Sequence, residues 1–350
     1  MNPIVIEDLV DITSRGLAFG EFSGKTVLIS GANGFLPAYM VETLLHLNTQ
    51  GSAPVRVIAL VRNRQKAEKR FAHYQGRADL ELFVQDVCDP VCIPGPVDYV
   101  IHAASQASPK YYGTDPVGTI TANTLGTQRL LELAREKQSR GFLFFSSGEI
   151  YGQLTPEQIP TAETDYGPLD PTALRACYAE GKRAGENMCV AWNHQHQVPA
   201  KIVRPFHTYG PGMALDDGRV FSDFVADIVH GRHIVMKSRG EALRPYCYLS
   251  DAVEGFFRVL LLGQEGMAYN VGNPAAEVTV AELAKKLVGL FPEKLLKVIQ
   301  SEEPLAAGYI KSPYHRTCPK IDRILGLGWS PRHSIESGFK RTVMSCLWTH

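Results

Sequence analysis

Short runs of apolar residues alternate with amphipathic segments along the first part of the chain. The apolar runs predict β-strands at residues 25–30, 55–61, 80–84, 97–102, 142–145 and 200–203. Helical spacing of apolar positions predicts helices at 38–47, 66–74 and 117–137, and another that contains Tyr178. Strands that alternate with helices in this way form βαβ units and a parallel sheet. The predicted fold class is therefore α/β, with a Rossmann-type doubly wound parallel sheet.

The pattern changes at both ends of this region. Residues 1–23 have apolar positions near helical spacing and predict a helical extension. Residues 24–203 form the predicted dinucleotide-binding domain, to which a segment near 235–262 is expected to return. Prolines, glycines and polar loops become more frequent after residue 203. Residues 204–234 and 263–350 therefore predict a smaller, discontinuous C-terminal lobe that binds substrate.

Composition narrows the classes of function. The formal net charge is zero and no basic block is present, which argues against nucleic-acid binding. No apolar run is long enough to span a membrane, and the N-terminal residues do not resemble a signal peptide. The seven cysteines are scattered, which is typical of reduced thiols in a cytoplasmic protein. The histidines lack metal-ligand spacing, so no metal site is predicted.

A glycine-containing turn follows the first predicted strand. Gly31 and Gly34 lie between that strand and a helix, where backbone can approach a pyrophosphate and N–H groups can bind it. An ordinary glycine-rich turn is the alternative. The third glycine of the G-x-x-G-x-x-G form is replaced by Pro37, which suits a first helical turn. The predicted cofactor contacts in this loop are Gly31, Asn33, Gly34, Phe35 and Leu36.

The ends of the next two strands bear on the choice of cofactor. An acidic residue usually follows the second strand in NAD enzymes, but Arg62 stands there. Arg62 either meets a ribose phosphate, which would favour NADP, or is a solvated surface residue. Asp86 and Val87, after the third strand, are expected at the adenine. The predicted cofactor is NAD, with NADP left open because of Arg62.

Tyr178 and Lys182 stand four residues apart on a predicted helix. That spacing places both side chains on one face. A nearby ammonium is expected to lower the tyrosine pKa, and a general base for an alcohol requires such a change. Taken alone, the pair favours an ordinary surface turn of helix, because this spacing occurs by chance on many amphipathic helices.

Several motifs together resemble the extended short-chain dehydrogenase/reductases that act on nucleotide sugars. They are Gly31-x-x-Gly34, His102-Ala103-Ala104-Ser105, the Ser147 motif and Tyr178-x-x-x-Lys182. Within that superfamily the chain most resembles the UDP-glucuronate decarboxylases. This closer resemblance rests on Ala107-Ser108-Pro109 with Tyr112, residues 176–183, residues 208–211 with 217–220, and Arg244 seven residues before Asp251.

The resemblance implies roles for individual residues. Tyr178 would take the proton of the sugar 4-hydroxyl, with Lys182 and Ser147 assisting, while NAD(P)+ takes the hydride. The resulting β-keto acid would lose carbon dioxide, and the hydride would then return. Further implied cofactor contacts are Ala103, Ala104, Ser105, Asn123 and Pro205. Implied substrate contacts are Ser108, Tyr112, Ser147, Gly148, Glu149, His207, Arg219, Arg244 and Arg316, of which Glu149 and Arg244 are also candidate catalytic residues. The resemblance also implies a homodimer.

The residues after Ser147 discriminate among related reactions. The 4,6-dehydratase pattern has an aspartate at the position of Gly148, and 4-epimerases usually lack the acid found here as Glu149. A decarboxylase is therefore favoured, with a 4-epimerase or an unusual 4,6-dehydratase as the alternative. Glu149 could instead be a structural strand-end residue. A non-catalytic nucleotide-binding regulator is the alternative from another class, although the intact Ser147, Tyr178 and Lys182 argue against it.

Two positions leave the substrate open. The family usually has asparagine where His207 stands, and that residue normally faces the substrate phosphates. Arg244 could position the sugar, donate a proton or bind a phosphate, and Arg219 and Arg316 are candidates for the diphosphate or uridine. The sequence thus predicts a UDP-linked sugar without identifying it.

Overall fold

The predicted strands and helices are largely present in the computed structural model, which describes residues 1–51, 53–301 and 315–348. The strands are β1 Thr26–Ser30, β2 Arg56–Val61, β3 Leu80–Val84, β4 Tyr99–His102, β5 Gly141–Phe145, β6 Ala200–Pro205, β7 Thr208–Tyr209, β8 Ile234–Met236, β9 Leu243–Pro245, β10 Cys247–Tyr248, β11 Ala268–Val271, β12 Glu277–Thr279 and β13 Val298–Gln300. The helices are α1 Pro3–Ser14, α2 Phe35–Leu47, α3 Arg64–Arg70, α4 Lys110–Thr114, α5 Pro116–Asn123, α6 Leu125–Glu136, α7 Ala176–His196, α8 Val220–Val229, α9 Leu249–Leu262, α10 Val280–Gly289, α11 Asp322–Leu325 and α12 Ile335–Leu347.

The main sheet confirms the predicted α/β class. Within the described residues it has seven strands in the order β11-β6-β5-β4-β1-β2-β3, and each pairing is parallel. Ser30, at the end of β1, pairs with Leu60 on one side and His102 on the other. The strand order reverses between β1 and β4, and ligands of such sheets bind in the crevice at this reversal.

Two boundaries differ from the sequence prediction. The helix expected over 117–137 is divided at Thr124 into α5 and α6. The returning segment expected to end near 262 extends to Val271, because β11 pairs with β6 at the sheet edge. The strand was missed because it is only four residues long and contains the polar Asn270.

Apolar side chains cover both faces of the sheet. Val27 and Ile29 pack in one core cluster, whereas Leu28 points into a second cluster on the other face. This arrangement explains why β1 reads as a continuous apolar run. A third cluster lies in the C-terminal lobe, around residues such as Phe221 and Phe339. Among the helices in the described part of the chain, none has the length and apolarity needed to cross a membrane.

The N-terminal helix is tied into the rest of the fold by a buried carboxylate. Asp8 accepts hydrogen bonds from the hydroxyls of Tyr39 at 3.0 Å and Tyr248 at 2.8 Å. It also accepts one from the Arg341 guanidinium at 2.7 Å. Tyr39 lies in α2, Tyr248 immediately precedes α9, and Arg341 lies in α12. The N-terminal extension therefore joins α2 to the C-terminal lobe.

Candidate active site

The turn between β1 and α2 has the close packing that requires glycine. Gly31 has a φ of +64°, and a Cβ there would lie 2.7 Å from the Cα of Ala104. Gly34 is the N-cap of α2, and its N–H donates to the Gly31 carbonyl at 2.8 Å. Phe35 and Leu36 form the first turn of the helix. The N-terminus of α2 is therefore presented next to the end of β4, as pyrophosphate binding requires.

The end of β4 is fixed against β1 by one hydroxyl. Ser30 Oγ accepts hydrogen bonds from the N–H groups of Ala103 at 3.2 Å and Ala104 at 3.1 Å. It also contacts His102 Nδ1 at 2.9 Å. The Ser105 hydroxyl is buried and has no hydrogen-bond partner among the described residues. This crevice thus combines a tight backbone cradle with an unsatisfied polar atom, as expected of a site that holds a polar ligand.

The predicted adenine contacts lie farther along the same sheet edge. Arg62 is 62% exposed and lies 3.7 Å from Asp86. Asp86 accepts a hydrogen bond from the N–H of Cys88 at 2.9 Å, which fixes its carboxylate after β3. Val87 is buried beside Gly126, where an added Cβ would lie 2.8 Å from its Cγ1. Arg62 is therefore paired loosely with a carboxylate rather than isolated.

Two further predicted cofactor residues lie deeper in the fold. Asn123 ends α5, is fully buried and packs against α7. A Cβ added at Gly181 of α7 would lie 3.2 Å from the Cβ of Asn123. Its amide donates to the Thr119 carbonyl at 2.8 Å, whereas its Oδ1 has no partner in the described parts of the chain. Pro205 ends β6 and pairs with Val271.

Tyr178 lies in the first turn of α7 and is buried. Its ring stacks on that of Tyr112 from α4, with ring centroids 5.1 Å apart and an interplanar angle of 17°. Ser147, which follows β5 and precedes a 3₁₀ turn at Gly148–Tyr151, acts to lower the pKa of this phenol. Three separate elements therefore converge on one phenol.

Lys182 lies one turn farther along α7, on the face predicted from its spacing. Its Nζ is 5.8 Å from the centre of the Tyr178 ring and donates a hydrogen bond to the Phe145 carbonyl. Burial lowers the pKa of Lys182 to about 7, although Glu186 acts in the opposite direction. A substantial fraction of this lysine is therefore neutral near physiological pH.

The predicted lowering of the tyrosine pKa is wrong for this structure. Burial, followed by the nearby carboxylate of Glu149, raises the pKa of Tyr178 to about 12. The Ser147 hydrogen bond and the positive charge of Arg219 act in the opposite direction. The Tyr-x-x-x-Lys spacing predicts a neighbouring ammonium, but it contains no information about burial, which is the larger effect here.

A buried ion pair behind Lys182 was not predicted. Glu186 accepts from the Arg204 guanidinium at 2.6 Å and also from the Ser146 hydroxyl. Arg204 in turn donates to the hydroxyl of Tyr151 at 2.8 Å. The spacing of Glu186, four residues after Lys182, was the available signal that both belong to one helix face.

Gly148 and Glu149 have different surroundings. A Cβ at Gly148 would lie 3.0 Å from two atoms of the Phe206 ring, so the ring occupies the space of a side chain. Glu149 Oε2 lies 3.8 Å from Arg175 Nη2. Burial raises the pKa of Glu149, whereas Arg175 and Arg219 act to lower it.

Arg175 is a further residue of this site that the sequence did not predict. It immediately precedes α7, and its guanidinium carbon lies 5.8 Å from the centre of the Tyr112 ring. Its position three residues before Tyr178 placed it near the same helix face. Its contact with Glu149 could not be read from spacing, because that carboxylate comes from another element.

Two loops meet beside this cluster. The Ser108 hydroxyl donates to the Asp217 carbonyl at 2.6 Å. Arg219 donates from Nη2 to the Ala107 carbonyl at 3.2 Å, and its Nε lies 3.1 Å from the Asp217 carboxylate. These contacts hold Arg219 near Glu149, whose pKa it influences.

Arg244 and Arg316 lie close together in the C-terminal lobe but have different contacts. Arg244 is 7% exposed, and its Nη1 donates to the carbonyls of Leu243 at 2.7 Å and His315 at 3.1 Å. Arg316 makes a two-point ion pair with Glu277 at 2.9 and 2.7 Å. Its substrate contact stays a prediction, and the Glu277 carboxylate already engages its guanidinium.

Asp251, which follows Arg244 by seven residues in the motif, makes contacts that stabilise the fold. It is fully buried and accepts hydrogen bonds from the N–H groups of Arg332 and His333, each at 3.0 Å. Its other carboxylate oxygen lies 2.7 Å from Arg15. The motif therefore anchors α9 to the N-terminal extension.

The part of the chain that matches a known family contains both the glycine loop and the Tyr178–Lys182 pair. The model of the NAD dependent epimerase/dehydratase family matches residues 27–272. The chain belongs to this family. The sequence match thus shows the family, and the likeness to solved structures shows the same fold.

Relatives of this epimerase/dehydratase family member include decarboxylases. UDP-glucuronic acid decarboxylase 6 of Arabidopsis thaliana is 33% identical over 318 residues, covering 90% of this chain and 87% of the relative. UDP-glucuronic acid decarboxylase 1 of Xenopus tropicalis is 34% identical over 327 residues, covering 92% and 72%. The solved UDP-glucuronic acid 4-epimerase of Bacillus cereus, in complex with UDP-glucuronic acid and NAD, has a TM-score of 0.74 at 18% identity, covering 92% of this chain and 98% of that one. This last likeness concerns the fold alone.

Proposed function

We propose that the protein oxidises UDP-glucuronate at carbon 4 of the sugar and then releases its carboxyl group as carbon dioxide, forming a UDP-pentose. The observation that carries the proposal is the convergence of Tyr178, Ser147 and Glu149 with the cation of Arg175. The decarboxylases among the relatives support the same reaction class.

The crevice at the strand reversal fits a dinucleotide. Gly31 and Gly34 leave room for pyrophosphate at the N-terminus of α2, and the unsatisfied Ser105 hydroxyl offers a further polar contact. We favour NAD over NADP because Arg62 lies near the Asp86 carboxylate, which would repel an added phosphate. When bound, the cofactor supplies the hydride acceptor for carbon 4 and later returns that hydride.

Tyr178 is the proposed base for the 4-hydroxyl. Ser147 already acts to lower the pKa of the phenol and would share the same sugar oxygen. A pKa near 12 is high for a base at neutral pH, so the cationic neighbours must favour the phenolate as the proton leaves. Arg219 already acts in this direction, and Lys182, 5.8 Å from the ring, would add to it in its protonated form.

Arg175 and Glu149 are the proposed neighbours of the substrate carboxylate. A guanidinium binds carboxylates well, and Arg175 is already 3.8 Å from that of Glu149. A second carboxylate at this position would compete for Arg175 and raise the pKa of Glu149 further. The substrate carboxylate would thereby be held next to a group that disfavours its charge, which promotes loss of carbon dioxide.

Incubation with UDP-glucuronate and NAD+ tests the reaction directly. We expect mass spectrometry to detect a UDP-sugar that has lost carbon dioxide, with no net consumption of cofactor. A product of unchanged mass and altered stereochemistry at carbon 4 would instead identify a 4-epimerase.

Replacing Arg175 by methionine should weaken the binding of UDP-glucuronate but not that of UDP-glucose, since only the former has a carboxylate. Binding titrations with the two ligands measure this difference.

We also propose a homodimer that uses α5, α6 and α7. Val117, Leu125 and Val190 on these helices are 69%, 37% and 43% exposed, and the three helices pack against one another. Leu130, Leu131 and Leu133 on α6 are buried in the core. Sedimentation equilibrium should give twice the chain mass of 38.6 kDa. The mass of a single chain at micromolar concentration would contradict this interface.

A further inference from the structure

Helix α7, which carries Tyr178, packs closely against the end of β5. A Cβ added at Gly185 of this helix would overlap the ring of Phe144 in the strand, so the residue type permits the close approach. Lys182 and Glu186 lie one and two turns after Tyr178 on the same helix. Because the helix lies so near the strand, both side chains can reach its last residues.

The two side chains hold consecutive residues at this strand end. Lys182 Nζ donates a hydrogen bond to the Phe145 carbonyl. The Glu186 carboxylate accepts one from the hydroxyl of the next residue, Ser146. The N–H of Ser146 donates to the Val203 carbonyl of β6 at 2.8 Å. Ser146 is therefore bonded through its backbone to the sheet and through its side chain to α7.

Glu186 is itself fixed by a second strand. Its two carboxylate oxygens accept from Nε and Nη2 of Arg204, on β6, at 2.9 and 2.6 Å. The Arg204 side chain is only 2% exposed, and its Nη1 donates to the Tyr151 hydroxyl at 2.8 Å and to the Glu163 carbonyl at 2.9 Å. A two-point pair of this kind sets the orientation of a carboxylate. The acceptor that Ser146 uses is thus held in one place.

Stability alone does not explain a buried ion pair at this position. Apolar residues of similar volume often replace such pairs without loss of stability, whereas a pair can specify one conformation. The strand end that Glu186 constrains leads directly to Ser147, which acts on the pKa of Tyr178. A displacement of about 1 Å between reacting groups can lower a rate by about 10²-fold.

We propose that Glu186 is a positioning residue for Ser147. Through the Ser146 hydroxyl it holds the end of β5 against α7, so that Ser147 and Tyr178 meet the same sugar oxygen. Arg204 keeps the carboxylate in the orientation that this contact requires. The inference rests on the proposed oxidation at carbon 4, and in this role Glu186 transfers neither a proton nor a hydride.

Replacing Ser146 by alanine removes the proposed link and leaves the Glu186–Arg204 pair in place. We expect kcat for UDP-glucuronate to fall by about tenfold with little change in KM, because substrate still binds but the reacting groups are less well placed. Ser139→Ala is the matched control. Ser139 is 5% exposed, precedes the opposite end of β5, and donates to the Val97 carbonyl at 2.6 Å. Its loss should lower thermal stability to a similar extent and leave kcat unchanged.

A double-mutant cycle tests whether Glu186 acts through Ser146. The pair is replaced by apolar residues in Glu186→Leu/Arg204→Met, and Ser146→Ala is then added to this protein. If the hydroxyl carries the effect, the added change should cause no further loss of kcat. The same tenfold loss in both backgrounds would show that Ser146 acts without Glu186 and would overturn the proposal.

Crystal structures of the parent and Ser146→Ala proteins provide a readout that needs no turnover. The distance between the Ser147 and Tyr178 hydroxyl oxygens should increase in the variant. An unchanged distance, or a parental kcat in Ser146→Ala, would overturn the positioning role. If the parent protein reduces NAD+ with UDP-glucuronate but releases no carbon dioxide, the proposed decarboxylation fails, and the rate of that reduction then replaces kcat in the same comparison.

Discussion

Replacing Tyr178 by phenylalanine should lower kcat by about 10³-fold or more, while cofactor binding stays close to that of the parent protein. Loss of a positioned proton acceptor typically costs 10²–10⁴-fold, and Ser147 acts on the pKa of the phenol that the variant removes. The ring that stacks on Tyr112 is retained in the variant. Packing should therefore change little, and the loss would report the hydroxyl itself.

A matched control for this variant is Tyr166→Phe, since Tyr166 is 61% exposed and plays no part in the proposed reaction. Its turnover should equal that of the parent protein. Carbon dioxide release measured with saturating UDP-glucuronate provides the rate, and thermal unfolding compares the stabilities. Turnover at the parent rate in Tyr178→Phe would remove the phenol from its proposed role as base.

Replacing Glu149 by glutamine should slow carbon dioxide release by about 10²-fold without preventing oxidation at carbon 4. The amide preserves the size of the side chain but removes the charge that lies 3.8 Å from Arg175. It also removes the carboxylate that raises the pKa of Tyr178, so the first proton transfer should become easier. The 4-keto sugar, still carrying its carboxyl group, should accumulate.

Mass spectrometry of quenched reactions distinguishes these two steps, because the keto acid is lighter than the substrate by two hydrogens. Glu157→Gln is a suitable control, since this glutamate is exposed and lies on a neighbouring 3₁₀ turn. If Glu149→Gln releases carbon dioxide as fast as the parent protein, Glu149 has only the structural role that its place after β5 also allows.

Local sequence patterns predicted those features that depend on one element. The four-residue spacing placed Tyr178 and Lys182 on one face of α7, and the apolar run at β1 predicted a strand buried on both faces. Gly31 was predicted at a tight turn, where its positive φ and the nearby Ala104 backbone now explain the residue type. Each of these inferences needs only the geometry of a helix, a strand or a turn.

Contacts between separate elements were not predicted from the sequence, and the direction of the Tyr178 pKa shift was predicted wrongly. The position of Arg175 matters because Glu149 approaches it from the end of β5, more than twenty residues earlier in the chain. The pKa of Tyr178 is raised rather than lowered, since burial by α4 and the charge of Glu149 act on it together. The strand β11 is too short and too polar to be predicted from its own residues, and its pairing with β6 makes it part of the sheet.

The order and type of the main elements and the glycine turn follow from residue patterns, whereas the roles proposed for Tyr178, Lys182 and Ser147 come from the resemblance to a family. The protonation equilibria of Tyr178, Lys182 and His207 were decided by the folded structure. Burial and charges from distant segments set these equilibria, and neither is a property of local sequence. The family's shared oxidation step could therefore be predicted from the chain, whereas the environment that would direct the ketone toward decarboxylation required the assembled site.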